Sequence, residues 1–152
     1  MIKLMLRTLA DTFIFSIIFI IDLYGAFAVY FDGDVIIPYA LLLIGLAIIE
    51  LILTSVITLM AMARGFNSEK SRMLVYKYVY YFGASQYMIS FINMTVIGLL
   101  AVASGGSDIG GFQRMQSVWY VYLADIIQLI IGIRLALQGL RNMPKSHRPS
   151  ED

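Results

Sequence analysis

The sequence predicts an all-α integral membrane protein, an antiparallel bundle of four transmembrane helices with both termini in the cytoplasm. Hydrophobic residues make up 60% of the 152 residues and charged residues 14%, against roughly a quarter charged in soluble domains. The apolar residues are concentrated in long uninterrupted segments, and lysine and arginine lie almost entirely on one side of them. These observations together predict a multi-pass membrane protein, with no indication of which membrane.

Four apolar segments define the predicted domain organisation. They cover about 9–30, 35–63, 78–103 and 117–138, and each provides the roughly 20 residues that a helix needs to cross hydrocarbon. Pro38 lies in the first turn of the second segment, where its missing N–H costs little. We therefore predict one four-helix domain over 1–143, with the glycine-rich stretch 104–116 as a flexible loop, and a polar cytoplasmic tail over 144–152.

Basic residues predict the orientation, because the cytoplasmic ends of membrane helices carry an excess of lysine and arginine. One side of the segments carries Lys3 and Arg7 and a basic rim, which consists of Arg64, Lys70, Arg72, Lys77, Arg141 and Lys145. The other side carries Arg114 among three aspartates. Both termini are therefore expected in the cytoplasm. The positive charge of the rim also favours binding of anionic lipid, although the orientation rule by itself accounts for these basic residues.

Other side chains are expected at the level of the lipid headgroups. Tyr78 and its neighbouring tyrosines begin the third segment, as expected of an interfacial aromatic belt rather than a nucleic-acid surface. Arg134 lies nine residues after Asp125 in the fourth segment, which places it on the opposite side of that helix. We expect its long side chain to extend to the cytoplasmic headgroups.

Polar residues inside the segments form the candidate site. Glu50 lies near the middle of the second segment, and a charged side chain at that depth costs roughly 2.5–3.5 kcal/mol on insertion scales. Helical periodicity places Asp11 and Asp22 on one face of the first segment, and Gln86 in a stripe with polar residues of the third. Folding these stripes inward predicts an intramembrane polar cluster of Asp22, Glu50, Ser90, Asn93, Asp125 and Gln128.

Three interpretations of this cluster remain open. Carboxyls kept protonated by burial can hydrogen-bond neighbouring helices and hold the bundle together. They can instead pair with a basic residue of a partner chain. They can also bind a proton or cation in a transporter or channel, since intramembrane acids often mark ion pathways.

Residue types limit the chemistry. The chain has no cysteine, and its one histidine, His147, lies in the tail, so we expect no metal site and no cofactor. Nothing in the segments supplies a nucleophile beside a base, so we expect no enzyme. A membrane-embedded lipid-processing enzyme is the least favoured alternative.

The layout resembles that of the MARVEL-type four-span proteins, with short loops, internal termini and Arg7 just before the first segment. The resemblance implies a role in membrane apposition or vesicle traffic. Members with extracellular cysteines differ from this chain, which has none. We predict a non-catalytic structural or auxiliary subunit that associates with itself or with other membrane subunits. The alternative is an oligomeric proton or cation channel that uses the mid-membrane carboxylates.

Overall fold

The computed structural model describes residues 1–30, 33–65, 68–105 and 108–143. These residues form five helices and no strand, which confirms the predicted all-α class. The helices are α1 (Ile2–Val29), α2 (Gly33–Ala63), α3 (Glu69–Gly105), α4 (Asp108–Ser117) and α5 (Trp119–Asn142). Four of them, α1, α2, α3 and α5, are long and apolar enough to cross a membrane.

The long helices extend beyond some of the apolar segments. The third segment was expected from about residue 78, whereas α3 begins at Glu69. Its first two turns contain glutamate, lysine and arginine, which are good helix formers. Loss of apolar character therefore marks where a hydrocarbon layer would end, not where the helix ends.

The prediction of a flexible loop over 104–116 is wrong for most of its length. Helix α3 continues to Gly105, and α4 then packs back along it. Gly111 makes this approach possible, because a Cβ there would lie 3.1 Å from the Cα of Val102. Arg114 on α4 donates from Nη1 to the carbonyl oxygen of Val29 at 3.0 Å, which satisfies a backbone acceptor at the end of α1. Gly111 thus serves packing.

The long helices run in alternating directions in chain order. We call the end where α1 and α3 begin and α2 and α5 end the base of the bundle, and the opposite end the top. Gly132 and Gly139 of α5 meet α3 backbone to backbone, as small residues allow between packed helices. A Cβ on Gly132 would lie 2.9 Å from the oxygen of Gly83, and a Cβ on Gly139 would lie 2.5 Å from the nitrogen of Tyr80. Because the partner numbers fall along α3 as they rise along α5, the two helices are antiparallel.

The outside of the long helices is mostly apolar, and the interior contains apolar side chains together with a set of polar ones. Two apolar clusters fill the interior, one around Phe15 and Phe82 toward the base and one around Leu43 and Ile97 toward the top. Helix α2 contacts the bundle along one stripe, and most of its remaining surface is exposed apolar side chains. This exposed surface is what a helix bundle surrounded by lipid requires.

Candidate functional site: the polar seam

Buried polar side chains run from the base to the top of the bundle. All six residues of the predicted cluster are buried. Together with the polar residues that contact them or continue their line, they form what we call the polar seam: Asp11, Thr12, Asp22, Tyr39, Glu50, Thr54, Tyr78, Gln86, Ser90, Asn93, Tyr122, Asp125, Gln128 and Arg134. The seam consists of separate hydrogen-bonded groups, described from its centre outward.

The central group joins three helices through Gln86. Gln86 is fully buried, and its Nε2 donates to Oε1 of Glu50 on α2. Its Oε1 accepts from Nε2 of Gln128 on α5 at 2.7 Å. One side-chain oxygen of Glu50 and one of Gln128 have no partner among the described residues. Helical phase had placed Gln86 on the inward stripe, yet the predicted cluster omitted it although it is the hub.

The group nearer the top joins α1, α2 and α3 through Asn93. Its Nδ2 donates to Oδ2 of Asp22 at 2.8 Å, and its Oδ1 accepts from the hydroxyl of Tyr39 at 3.4 Å. Oδ1 of Asp22 has no partner among the described residues. An amide therefore uses both its donor and its acceptor to connect two other helices.

Asp125 is the least satisfied member of the seam. Asp125 is fully buried, and both of its carboxylate oxygens lack a hydrogen-bond partner among the described residues. The hydroxyl of Ser90 donates to the backbone carbonyl of Asp125 at 2.5 Å and so leaves the carboxyl untouched. Asp22 and the hydroxyl of Tyr122 both interact electrostatically with Asp125, and that hydroxyl also has no partner. Two buried acids therefore interact with each other, and neither forms a salt bridge within the described part of the chain.

Hydroxyl groups continue the seam toward the base. Thr54 lies 3.2 Å from Thr12 of α1 and 2.5 Å from the hydroxyl of Tyr78 on α3, measured between side-chain oxygens. Tyr78 was expected in an interfacial belt, but its hydroxyl is directed into the bundle. The prediction failed for this tyrosine because composition near a helix end does not reveal which way one ring faces.

The prediction that Arg134 extends away from the interior, to the headgroups, is also wrong. Its Nη2 lies 2.6 Å from Oδ2 of Asp11 on α1, and the two side chains form an ion pair. Asp11 is nearly buried, at 8% exposure of its side chain, while Arg134 is 39% exposed. The phase argument located Arg134 correctly relative to Asp125, but it could not show that α1 lies on that side of α5.

The predicted basic rim lies at the base. Arg64, Lys70, Arg72 and Arg141 are exposed, and Lys77 is partly buried. Lys145 lies outside the described residues. Within the described part of the chain, histidine, cysteine and acidic residues do not form a group of three that could hold a metal ion.

Fold and seam define the class of protein: a helical bundle with four long apolar helices joined by buried amide, hydroxyl and carboxyl groups. The chain matches no family model, and comparisons with curated proteins and with solved structures find no significant match. The resemblance to MARVEL-type proteins therefore stays a prediction.

Proposed function

We propose that this chain is a multi-pass membrane protein, with both termini in the cytoplasm, that acts without catalysis as a structural or auxiliary subunit. In this proposal it associates laterally with copies of itself or with a larger membrane complex. The observation that carries the proposal is the contrast between an interior held together by polar hydrogen bonds and an apolar exterior.

The interior supports a packing role for most of the seam. Gln86, Asn93 and Gln128 each donate to a side chain on a different helix. Such contacts between membrane helices contribute about 0.6 to 2 kcal/mol each. Three of them, together with the backbone contact of α3 and α5, would keep the bundle rigid. A rigid bundle presents one constant outer surface to a partner.

The exterior supports lateral association through α2. In its most apolar stretch, 17% of α2 is buried inside the bundle, against 44% for α1. Leu41, Ile48, Ile52 and Leu59 are exposed on α2. The described connections between the long helices contain only the short helix α4. The helix surfaces are therefore the main area available to a partner, and α2 offers the most.

Single-cysteine crosslinking tests this proposal directly, because the chain has no cysteine of its own. Leu41→Cys and Ile48→Cys place a thiol on the exposed face of α2, while Leu123→Cys and Ile130→Cys place one on the exposed face of α5. We expect crosslinks in native membranes from the α2 positions and few from the α5 positions. Mass spectrometry of the products distinguishes a second copy from another subunit. Equal, background-level crosslinking from both faces would contradict the proposal.

A second candidate function is favoured by one observation, the unpartnered carboxylate oxygens of the seam. Glu50, Asp22 and Asp125 all have at least one buried oxygen without a described partner. Buried polar atoms in folded proteins nearly always have partners. A proton or cation pathway along the seam would use these oxygens as binding positions.

Flux measurements in liposomes separate the two candidates. The pathway predicts proton or monovalent-cation flux that falls at least tenfold in Glu50→Gln and in Asp125→Asn. Both substitutions remove the ionisable group while keeping the shape of the side chain. Glu69→Gln removes an exposed carboxylate at the base and is the matched control. Flux absent in the unmodified protein under proton, sodium and potassium gradients would eliminate this candidate.

A further inference from the structure

A cavity at the base of the bundle lies between the end of α2 and the beginning of α3. Its volume is about 430 Å³, and it is lined by Arg64, Glu69, Lys70, Met73, Leu74 and Lys77. Three of the six residues of the predicted basic rim therefore meet at one cavity. This arrangement is more specific than an even distribution of positive charge around the base.

Helical spacing explains why these residues share the cavity. Lys70, Met73, Leu74 and Lys77 are separated by three, four and seven residues, so they occupy one face of α3. The buried side chains of Ser71, Val75 and Val79 lie on the inward face. The cavity face consequently has a lysine at each end, about 10 Å apart along the helix, and an apolar surface between them.

We propose that this cavity binds an anionic glycerophospholipid. Arg64, Lys70 and Lys77 exceed the single carboxylate of Glu69 in charge, so the site attracts a phosphate diester that is not neutralised by a choline or ethanolamine group. Met73 and Leu74 contact the glycerol and the first methylenes. Basic residues that served only to orient the protein in the membrane would need neither a cavity nor an apolar surface between them.

This inference goes beyond the proposed subunit function, although it rests on the proposed membrane insertion. A lipid in this position would lie against the last turn of α2 and the first turns of α3. It would thus be part of the surface near α2 that we propose for association. Lipid binding and crosslinking are separate measurements, so either proposal can fail without the other.

The test is lipid binding to the purified full-length protein in neutral detergent, followed by native mass spectrometry. The probes are phosphatidylglycerol and phosphatidylcholine with identical acyl chains, and glycerol 3-phosphate as a soluble competitor. The variant is Lys70→Gln/Lys77→Gln. The matched control, Lys3→Gln/Arg141→Gln, removes the same charge at the same end of the bundle but outside the cavity. Equal helicity by circular dichroism shows that both variants fold, and Lys70→Gln alone replaces the double variant if it does not.

We expect phosphatidylglycerol to bind at least tenfold more tightly than phosphatidylcholine. Each lysine contributes about fivefold to that affinity, so the cavity double variant loses about 25-fold and the control less than twofold. Equal losses of phosphatidylglycerol affinity in both double variants would mean that the lipid responds to the overall positive charge at the base. That result would overturn the proposed site. Equal binding of the two lipids, or displacement of phosphatidylglycerol by millimolar glycerol 3-phosphate, would also overturn it.

Discussion

The side chains of Arg134 and Asp11 form an ion pair at 2.6 Å that joins the last of the long helices to the first. The carboxylate is nearly buried and the guanidinium is partly exposed. Nη2 of Arg134 makes the contact, while its buried Nε has no described partner. The pair is the one salt bridge among the described residues, and it supports the base of the bundle, where α1 and α5 meet.

Removing either partner of this pair should destabilise the bundle more than removing both. Arg134→Leu leaves the nearly buried Asp11 without its partner, and because the pair is partly exposed we expect a loss of about 1–3 kcal/mol. Asp11→Asn/Arg134→Leu should recover about 1 kcal/mol or more of that loss. The measurement is the free energy of unfolding in SDS titrations of micellar protein. Strictly additive effects of the two substitutions would show that the ion pair contributes nothing.

Gly132 should tolerate no side chain. Gly132→Ala places a methyl group 2.9 Å from the backbone of Gly83 and Tyr87, and neither backbone can move without separating α3 from α5. We expect a loss of about 1–3 kcal/mol in unfolding free energy, as in overpacked cores. Gly45→Ala is the control, because a Cβ at Gly45 meets nothing within 4 Å. A loss of equal size at Gly45 would contradict the packing explanation.

Gln86 should contribute more to stability than the carboxylate it binds. Gln86→Leu removes a donor to Glu50 and an acceptor for Gln128, so we expect a loss of about 1–3 kcal/mol for two interhelical contacts. Glu50→Gln keeps a side-chain oxygen that can accept the bond and should lose less than about 0.5 kcal/mol. Thermal unfolding followed by circular dichroism compares the two. The reverse order would mean that the charge of Glu50, not its hydrogen bond, holds the centre together.

Asp125 should be dispensable for folding. Neither of its carboxylate oxygens has a described partner, and an unsatisfied buried polar group costs about 1–3 kcal/mol. Asp125→Val should therefore raise the unfolding free energy of the isolated protein, by about 1 kcal/mol. Val121→Ala, one turn away and fully buried, is the comparison and should destabilise. A strong loss of stability in Asp125→Val would indicate a structural partner for this carboxyl.

Stability and activity at Asp125 together discriminate between the two candidate functions. A variant that is more stable but no longer supports ion flux has lost a functional group that the fold did not need. A variant that is more stable and retains its crosslinks through α2 fits a subunit whose acids serve neither transport nor association.

Local periodicity explains what could be predicted about the site. A helix has 3.6 residues per turn, so the faces that carry Asp22, Glu50, Asn93 and Asp125 follow from their spacing alone, and all four are buried. These inferences need the geometry of one helix and the certainty that polar side chains avoid hydrocarbon.

Relations between helices could not be obtained in that way. The pairing of Arg134 with Asp11, the position of Gln86 between Glu50 and Gln128, and the inward hydroxyl of Tyr78 each depend on which helix lies next to which. The helix over Asp108–Ser117 was missed because its glycines suggest flexibility when they are considered alone. The packing of this helix on α3 depends on the position of Val102, which the local sequence does not give.

The sequence by itself determined that this chain forms long apolar helices with one polar face each, because composition and spacing act within a single helix. Only the tertiary structure decided which polar groups meet. Side-chain contacts between helices depend on the rotation and order of the helices in the bundle. The rotation and order of the helices are determined by backbone contacts such as the one between Gly83 and Gly132. These two residues are 49 positions apart in the chain.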